Sequence, residues 1–338
     1  MTRKTCVITV PDMKQDYTEG IKRMEALGVD AVWKKNAVGN SQDEKVVVQA
    51  CKGYDFVIAA NERWGKQAFA GCKGSLRLLV RYGIGLDNVD LDAATEAGVA
   101  VVNLPGCNAD AVAEQAVALM LAAARKLSYQ QELMKARRCQ VQSFMANSVM
   151  KKTVGLLGCG NIAKSVVRLL QGFNCRILAY DMVEDREFAG KYGVAYVSEE
   201  QLLKESDIIS VHLPLLPETK WIINKETIAL MKPQAIVVNT SRGSLVHSDD
   251  LAEALREGRI LAAGLDVFEN ETGSDKPLGY QFLDLDNVAL TAHTASATFE
   301  TFQQMMEQAV DRIECYLEEG TVPGILNPEY KKYRGESL

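Results

Sequence analysis

The stretch TVGLLGCGNIA, residues 153–163, combines a short apolar run with a glycine-rich turn. The apolar run predicts a buried β-strand, and the residues after the turn open a predicted helix. Gly158 permits the tight turn, Gly160 lets a phosphate approach the backbone, and Ala163 lets the helix pack closely on the strand. This strand–turn–helix unit is typical of Rossmann dinucleotide-binding domains, in which a pyrophosphate rests on the unpaired N–H groups of the helix N-terminus.

An acidic residue follows the next predicted strand. Asp181 lies about 20 residues beyond the turn, where a carboxylate accepts both ribose hydroxyls of NAD and repels the 2′-phosphate of NADP. Met182, Val183 and Glu184 come next, and none of them is an arginine that would bind that phosphate. The pattern therefore favours NAD over NADP. For the glycine motif by itself, the alternatives are a purely structural turn or another nucleotide fold, such as a methyltransferase.

Outward from this unit, short apolar runs alternate with helical patterns along the chain. Such alternation predicts an α/β protein built on doubly wound parallel sheets, with helices on both faces. With 338 residues, the chain has the length of two domains. The predicted strands are Cys6–Val10, Val29–Trp33, Phe56–Ala60, Leu76–Val80, Val99–Val102, Thr153–Leu157, Arg176–Tyr180, Ile208–His212, Ile236–Asn239, Leu261–Leu265 and Val288–Leu290.

Helix signals lie between these runs. Ser198 with Gln201 predicts one helix start and Ser248 predicts another, because such side chains cap the first backbone N–H groups. Asp110–Arg125 is apolar nearly all round, interrupted by a Glu-Gln pair at 114–115. A helix of this kind needs cover on all sides, so we expect it between domains or in a subunit interface.

Composition argues against several classes of protein. Apolar residues make up 47% and charged residues 24%, as in ordinary globular proteins, and the net charge of −6 disfavours nucleic acid or an anionic membrane surface as partner. We see no apolar run of ~18 residues and too short an apolar stretch near the N-terminus for a signal peptide, so no membrane association is expected. The eight cysteines form no Cys-x-x-Cys pair. This predicts no metal site, and reduced thiols in a cytoplasmic protein.

Three polar residues in the C-terminal half each follow a predicted strand. Arg242 lies in NTSRG, Glu271 in DVFENE and His293 in TAHTAS. Since ligands of open α/β sheets bind at the carboxyl ends of the strands, the three side chains are expected to converge on one crevice. An arginine binds a carboxylate with two parallel hydrogen bonds, and a histidine beside a carboxylate exchanges a proton near neutral pH. The set suits an anionic 2-keto or 2-hydroxy acid.

Each member of the set also has a structural explanation. Arg242 fits a surface ion pair, Glu271 a solvated carboxylate, and His293 a hydrogen-bonded core residue. Glu269, two residues before Glu271, competes with it as the partner of the histidine. The hypothesis therefore depends on the three residues occurring together beside the nucleotide motif.

The motifs above occur in the order of one known family, together with RYGIGLDNVD at 81–90, NLPGCNADAVAE at 103–114 and VHLPLLPET at 211–219. From about residue 76 to residue 327, the chain resembles the D-isomer-specific 2-hydroxyacid dehydrogenases, and within them the D-3-phosphoglycerate dehydrogenase branch. The resemblance implies a flavodoxin-like substrate domain, residues 1–103 plus 298–338, and a Rossmann NAD-binding domain, residues 104–297. It also implies a homodimer.

The resemblance further implies a role for each candidate residue. Arg242 would bind the substrate carboxylate and carbonyl oxygen, His293 would be the general acid/base, and Glu271 would orient it. Hydride would pass between substrate C2 and nicotinamide C4. The implied substrate contacts are the backbone around Gly83 and Ile84, with Asn108 nearby. The implied NAD contacts are Gly158, Gly160, Asn161, Ile162, Asp181, His212, Pro214, Thr219, Thr240, Ser241 and Asp266.

Several functions stay open at this point. The leading hypothesis is an NAD-dependent D-2-hydroxyacid dehydrogenase. A non-catalytic NAD-sensing protein is the alternative, since some relatives act as corepressors on this fold. Formate oxidation is disfavoured by Glu271, where the formate enzymes are expected to carry an amide.

The substrate also stays open, among glyoxylate, hydroxypyruvate, 3-phosphoglycerate and bulkier 2-keto acids. The phosphoglycerate enzymes show an Arg-Ser pair after the third strand, whereas this chain has Ala60–Trp64 there. Arg63 in that loop either meets an anionic tail of the substrate or is solvated.

Overall fold

A computed structural model of the chain describes residues 3–12, 16–138, 144–271 and 275–334. The chain divides into two compact units. The first consists of Met1–Asn108 and Thr298–Leu338, and the second of Ala109–Ala297. The first unit is therefore discontinuous in sequence, with the second inserted between its two segments.

Both units are built on parallel β-strands joined by helices. The strands, in chain order, are β1 (Lys4–Ile8), β2 (Val29–Trp33), β3 (Phe56–Ala59), β4 (Leu78–Arg81), β5 (Ala100–Val102), β6 (Thr153–Leu157), β7 (Arg176–Tyr180), β8 (Val194–Tyr196), β9 (Ile208–Val211), β10 (Ile236–Asn239), β11 (Ala262–Leu265) and β12 (Val288–Leu290). The α-helices are α1 (Thr18–Ala26), α2 (Glu44–Cys51), α3 (Lys66–Cys72), α4 (Leu91–Ala97), α5 (Ala109–Arg125), α6 (Leu127–Lys135), α7 (Asn161–Leu170), α8 (Arg186–Tyr192), α9 (Glu199–Glu205), α10 (Lys225–Leu230), α11 (Ser248–Arg256), α12 (Phe299–Glu319) and α13 (Tyr330–Arg334).

The sheet of the first unit has the strand order β2-β1-β3-β4-β5, and every neighbouring pair is parallel. The order reverses at β1, as in flavodoxin-like sheets. Strands covered on both faces have to be apolar throughout, and β3 (FVIA) and β5 (AVV) are fully buried. Met305, Val310 and Ile313 of α12 belong to the core cluster on one side of this sheet.

The sheet of the second unit has the order β12-β11-β10-β9-β6-β7-β8 and is also parallel throughout. The reversal lies at β6, which has β9 on one side and β7 on the other. Ligands of such sheets bind beyond the carboxyl ends of the strands at this switch point, and here the glycine turn follows β6. The predicted fold class, two doubly wound parallel-sheet domains, is confirmed.

Helix α5 packs on α7 and on β10, β11 and β12 within the second unit. Ala113 and Ala116 are fully buried. A Cβ on Gly264 of β11 would lie 2.9 Å from Leu119 Cβ, so the glycine lets the helix approach the sheet closely. One face of the apolar helix is thereby covered by its own unit.

The predicted strands occur within two residues of their predicted ends. β8 was not predicted, because the three residues VAY are too short to carry a pattern. Ser198 caps α9 as predicted and accepts a hydrogen bond from the Gln201 N–H at 3.2 Å. The N-cap of α11 is His247 and not Ser248, whose backbone N–H donates to Glu269 at 2.8 Å from a distant loop.

Within the described ranges, none of the helices has the length and apolarity that a bilayer crossing requires.

Candidate active site

The turn after β6 has two glycines that are required for different reasons. Gly158 has a φ of +92°, which L side chains rarely adopt, and a Cβ there would lie 2.8 Å from the carbonyl carbon of His212. Gly160 has an ordinary φ of −76°, and a Cβ there would meet no atom within 4 Å. The chain itself therefore needs Gly158, whereas Gly160 leaves open space before the N-terminus of α7. That space fits a pyrophosphate approaching the free N–H groups of the helix.

Asp181, just beyond β7, lies against this turn. Its Oδ2 accepts a hydrogen bond from the backbone N–H of Cys159 at 2.6 Å, and its Oδ1 accepts one from Val183 at 3.1 Å. The carboxylate is thereby fixed at the place where this fold binds the ribose of a dinucleotide. The side chains of Met182 and Val183, which follow, are exposed.

His212 and Thr240 carry buried polar atoms that fit a bound ligand. His212 Nε2 lies 2.9 Å from Ser210 Oγ, whereas its Nδ1 has no hydrogen-bond partner within the described residues. Burial lowers the pKa of His212 to about 4, so the ring is neutral at physiological pH. Thr240 Oγ1 is likewise buried and without a partner in the described part of the chain. Such atoms are rare in folded proteins, and a nucleotide is one way to satisfy them.

Pro214 and Thr219 belong to the loop after β9. Thr219 Oγ1 donates to the Pro214 carbonyl at 2.6 Å and accepts from the Leu216 N–H at 2.8 Å, so this hydroxyl closes the loop on itself. Asn161 and Ile162 form the first turn of α7. NAD contacts by these residues stay a prediction.

Asn239, which the sequence pattern did not single out, shapes the turn that carries Arg242. It is buried at the end of β10, where its Oδ1 accepts from the Ser241 N–H at 3.0 Å and its Nδ2 donates to the Arg242 carbonyl at 2.8 Å. Ser241 Oγ donates to the Val211 carbonyl at 3.0 Å, which ties the same turn to β9. The signal was present, since an amide in an apolar strand is costly to bury unless it is hydrogen-bonded.

Two loops approach closely beside this turn. A Cβ on Gly243 would lie 2.0 Å from the carbonyl carbon of Phe268, so only glycine fits there. Glu271 follows Phe268 by three residues, and its Oε1 accepts from the Phe268 N–H at 2.8 Å. The approach thus brings the Arg242 turn beside the loop that holds Glu271.

His293 meets Glu271 at this place. His293 Nδ1 lies 2.6 Å from Glu271 Oε2, and the backbone N–H of His293 donates to the Asp266 carbonyl at 2.7 Å. About half of the histidine side chain is exposed, at 49%, against 26% for that of Glu271. Because Nδ1 is taken by the carboxylate, Nε2 is the ring nitrogen left to meet a substrate.

The surroundings of His293 raise the pKa of its imidazole. The hydrogen bond to Glu271 raises the pKa of His293 above its usual value, and the charges of Glu271 and Asp266 act in the same direction. Burial and the positive charge of Arg242 oppose them. Arg242, Glu271 and His293 therefore lie close enough to act on one another, as expected for the set.

Glu269, the other candidate partner of His293, binds different groups. Glu269 Oε1 accepts from Trp221 Nε1 at 2.6 Å, and its Oε2 accepts from the Ser248 N–H at 2.8 Å. Both oxygens thus hold the loop after β9 and the start of α11, and Glu271 is the partner of His293.

The residues whose backbone is predicted to hold the substrate carboxylate, Gly83 and Ile84, belong to the first unit, as does Asn108. Gly83 has a φ of +140°, and its carbonyl accepts from the Leu104 N–H at 3.0 Å. The carbonyl of Ile84 accepts from Asn103 Nδ2 at 2.8 Å. Asn108 Oδ1 is buried and has no partner in the described part of the chain. Arg242, Glu271 and His293 all belong to the second unit.

The loop after β3 is organised by Arg81. Arg81 Nη2 donates to Asn61 Oδ1 at 2.7 Å, and its Nε donates to Asn88 Oδ1 at 3.2 Å. Arg63 Nη1 donates to the Asp87 carbonyl at 3.3 Å, so its side chain runs along the loop after β4.

Comparison with known proteins identifies the family of this chain. The sequence model of the D-isomer specific 2-hydroxyacid dehydrogenase, NAD binding domain, matches residues 117–295. The chain is 35% identical over 321 residues to the glyoxylate reductase of Korarchaeum cryptofilum, and the match covers 93% of this chain and 94% of that protein. This chain belongs to the D-isomer-specific 2-hydroxyacid dehydrogenase family. It is accordingly an NAD-dependent oxidoreductase, and its cofactor is NAD.

Two further proteins show the range of sequence and structural similarity. The D-3-phosphoglycerate dehydrogenase of Methanocaldococcus jannaschii is 39% identical over 285 residues, which is 84% of this chain but 52% of that protein. The chain thus spans about half the length of this relative. The structure of D-lactate dehydrogenase from Escherichia coli is similar with a TM-score of 0.81 at 29% identity, covering 96% of this chain and 99% of that chain.

Proposed function

We propose that this chain interconverts a 2-keto acid and a D-2-hydroxy acid, with Arg242, Glu271 and His293 as its catalytic residues. The observation that carries the proposal is the 2.6 Å contact between His293 Nδ1 and Glu271 Oε2, with the Arg242 charge acting on the same ring. A general acid, a carboxylate that sets its pKa and a cation for the substrate carboxylate are what the reaction needs.

NAD, when bound, supplies or accepts a hydride at C4 of its nicotinamide. In reduction, protonated His293 gives the proton on Nε2 to the carbonyl oxygen as C2 receives the hydride, so the product is the neutral hydroxyl. In oxidation, neutral His293 takes the hydroxyl proton back. Arg242 holds the substrate carboxylate with two parallel hydrogen bonds and polarises the carbonyl oxygen. Glu271 stabilises the imidazolium and keeps Nε2 aimed at the substrate.

The proposed NAD site lies at the carboxyl ends of the strands of the second unit. Gly158, Gly160 and the first turn of α7 would hold the pyrophosphate, and Asp181 the adenosine ribose. The unsatisfied atoms of His212 and Thr240 support this assignment. The remaining proposed contacts are Asn161, Ile162, Pro214, Thr219, Ser241 and Asp266.

Gly83, Ile84 and Asn108 of the first unit would contact the substrate carboxylate. Glyoxylate, hydroxypyruvate and 3-phosphoglycerate are the substrates to try first, since each presents a 2-oxo or 2-hydroxy acid of small size. A homodimer is proposed as well. A cytoplasmic location is supported by the thiols, because the seven cysteines of the described chain are all unpaired and five of them are buried.

The test is turnover with and without the histidine. The wild-type enzyme should oxidise NADH in the presence of at least one acid from a panel of 2-keto acids. We expect His293→Ala to lower kcat by ~100-fold or more, the usual scale of general acid–base catalysis, while NADH binding is retained. An unchanged rate would contradict the role of His293. Tight NADH binding without turnover of any acid would favour the alternative, a non-catalytic NAD-sensing protein.

A further inference from the structure

The backbone at His293 is held in an uncommon conformation. Its φ is +52°, a left-handed value that residues other than glycine rarely adopt. Three consecutive backbone amides pin the segment to Asp266. The His293 N–H donates to the Asp266 carbonyl at 2.7 Å, and the N–H groups of Thr294 and Ala295 donate to its carboxylate, each at 3.0 Å. Two of these three bonds depend on the orientation of the Asp266 carboxylate, which therefore holds the two residues that follow the histidine.

A fourth donor orients this carboxylate. Asp266 is fully buried, and its Oδ1 accepts a hydrogen bond from Thr291 Oγ1 at 2.6 Å. Thr291 Oγ1 in turn lies 3.0 Å from Gln115 Nε2, a donor on α5. A hydroxyl has one proton, and Thr291 gives it to the carboxylate. The hydroxyl oxygen is therefore the acceptor for Gln115, and the direction of both bonds is fixed.

The packing of α5 does not require an amide at position 115. The helix is apolar along most of its length, and its contacts with the sheet are made by small and aliphatic side chains such as Ala113, Ala116 and Leu119. Gln115 nevertheless uses its amide on a residue 176 positions away in sequence, two residues before His293. A series of hydrogen bonds thus runs from α5 through Thr291 and the Asp266 carboxylate to the N–H groups of Thr294 and Ala295, the two residues that follow the histidine.

We propose that Gln115 and Thr291 are positioning residues for His293. They hold the Asp266 carboxylate in the orientation that keeps the histidine backbone left-handed and its Nδ1 directed at Glu271. The catalytic consequence rests on the proposed function, in which His293 transfers the proton. The positioning itself is a property of the folded second unit.

Each decisive variant removes one polar group from the hydrogen bonds between α5 and Asp266. Thr291→Val keeps the shape of the side chain and removes the hydroxyl, whereas Thr291→Ser keeps the hydroxyl. Gln115→Met keeps the length of the side chain and removes the amide. Gln171→Met is the matched control. Gln171 Nε2 also donates within the second unit, to the Val167 carbonyl, but it takes no part in the hydrogen bonds that lead to Asp266.

The kinetic readout separates positioning from stability. We expect Thr291→Val to lower kcat about tenfold, below the ~100-fold cost of a full misplacement by 1 Å. Gln115→Met should lower it several-fold, Thr291→Ser should restore most of the rate, and Gln171→Met should behave as wild type.

The pH profile should move as well. Glu271 and Asp266 favour protonation of His293 and Arg242 opposes it. If the His293 ring moves away from Glu271, it loses the hydrogen bond that raises its pKa most. The pH at which keto acid reduction is lost should therefore fall in Thr291→Val and Gln115→Met. A variant that was merely less stable would keep the wild-type profile below its melting temperature.

A second measurement does not need turnover. The chain has three histidines, so NMR titration of the protein labelled with 13C at histidine Cε1 follows each ring separately, and His293→Ala identifies the resonance. The His293 titration should shift to lower pH in Thr291→Val and in Gln115→Met, while that of His212 stays in place. If the His293 titration shifts in the variants but the wild-type protein has no dehydrogenase activity, the positioning proposal stands and the proposed function is rejected. Unchanged titration and unchanged kcat in folded Gln115→Met and Thr291→Val would overturn the proposal, and Gln115→Met decides alone if Thr291→Val does not fold.

Discussion

At the scale of single residues, Glu271 uses its two oxygens for different partners. Oε1 is fixed by the backbone N–H of Phe268, and Oε2 meets His293. The carboxylate is thereby aimed as well as charged. This arrangement explains why the neighbouring Glu269 cannot replace it, since both of its oxygens are used by Trp221 and Ser248.

We expect Glu271→Gln to shift the pH dependence of keto acid reduction to lower pH. Reduction needs the protonated imidazole, so activity is present below the pKa of His293 and is lost as the pH rises through it. Because Glu271 raises that pKa, removing its charge moves the loss to lower pH. The pH profile of kcat/KM measures the change, and Glu269→Gln is the matched control. A profile identical to that of the wild type in Glu271→Gln would refute the pairing.

Asp181→Ala should weaken the binding of NAD more than that of NADP. The carboxylate binds ribose hydroxyls and repels a 2′-phosphate, so its loss removes a contact from one cofactor and a repulsion from the other. Calorimetric titration of both cofactors against the variant gives the two dissociation constants. Equal weakening of the two would count against the ribose assignment, and Asp181→Asn, which keeps an acceptor for the Cys159 N–H, separates loss of charge from loss of the turn.

The residues of the site were predicted from the sequence, but the pairing of His293 with Glu271 came only from the family resemblance. Arg242, Glu271 and His293 were predicted from their places after apolar strands, because parallel strands present their carboxyl ends at one edge. From the residues alone, Glu269 competes with Glu271, since both lie in one polar loop and only the path of that loop in space decides which one reaches the histidine. Gln115 and Thr291 were not proposed for the same reason, because their bond joins residues far apart in sequence.

At the scale of elements, the two glycines of the turn after β6 are needed for different reasons. Gly158→Ala should destabilise the fold, because its φ of +92° is strained for alanine and the new Cβ would lie 2.8 Å from the backbone of His212. Gly160→Ala should leave the melting temperature almost unchanged and weaken NADH binding, because its Cβ would project into open space. Thermal unfolding and NADH titration of the two variants measure this contrast. A Gly160→Ala enzyme that binds NADH as the wild type does would show that the space is not the pyrophosphate site.

Elements with a strong local signal were the predictable ones. The strands Thr153–Leu157 and Arg176–Tyr180 begin and end where their apolar runs predicted. β8 carries three residues and no period, and the start of α11 is displaced because a distant carboxylate satisfies its first N–H. Local pattern thus decides the type of an element, and distant partners decide its end.

At the scale of the molecule, the two units supply different parts of the proposed function. The proposed NAD contacts and the three catalytic candidates lie in Ala109–Ala297, which has hydrophobic clusters of its own, whereas Gly83 and Ile84 lie in the first unit. Residues 109–297 produced alone should therefore fold and bind NADH but turn over no keto acid. NADH at 100 times its Kd should stabilise this fragment by about 2.7 kcal/mol in thermal unfolding. Turnover by the fragment at the full rate would contradict the division.

The alternation of strands and helices predicted parallel sheets, but it did not predict the order of the strands within them. Neighbours such as β6 and β9 are far apart in the chain, and which strands pair depends on how the helices cover the two faces. The reversal at β6, which creates the nucleotide crevice, became visible only in the folded sheet.

The interruption of the first unit also has a consequence for its biosynthesis. Met305, Val310 and Ile313 of α12 cover the sheet of that unit, yet about 190 residues must be translated after Asn108 before this helix begins to emerge. At 5–20 residues per second, the early strands wait about 10–40 s with the part of this apolar face that α12 covers exposed to solvent. The inserted unit meets no such delay and is free to fold and capture its nucleotide on the ribosome. Nascent chains stalled before α12 should consequently recruit chaperones through the first unit, and release of the last long helix sets the moment at which the enzyme matures.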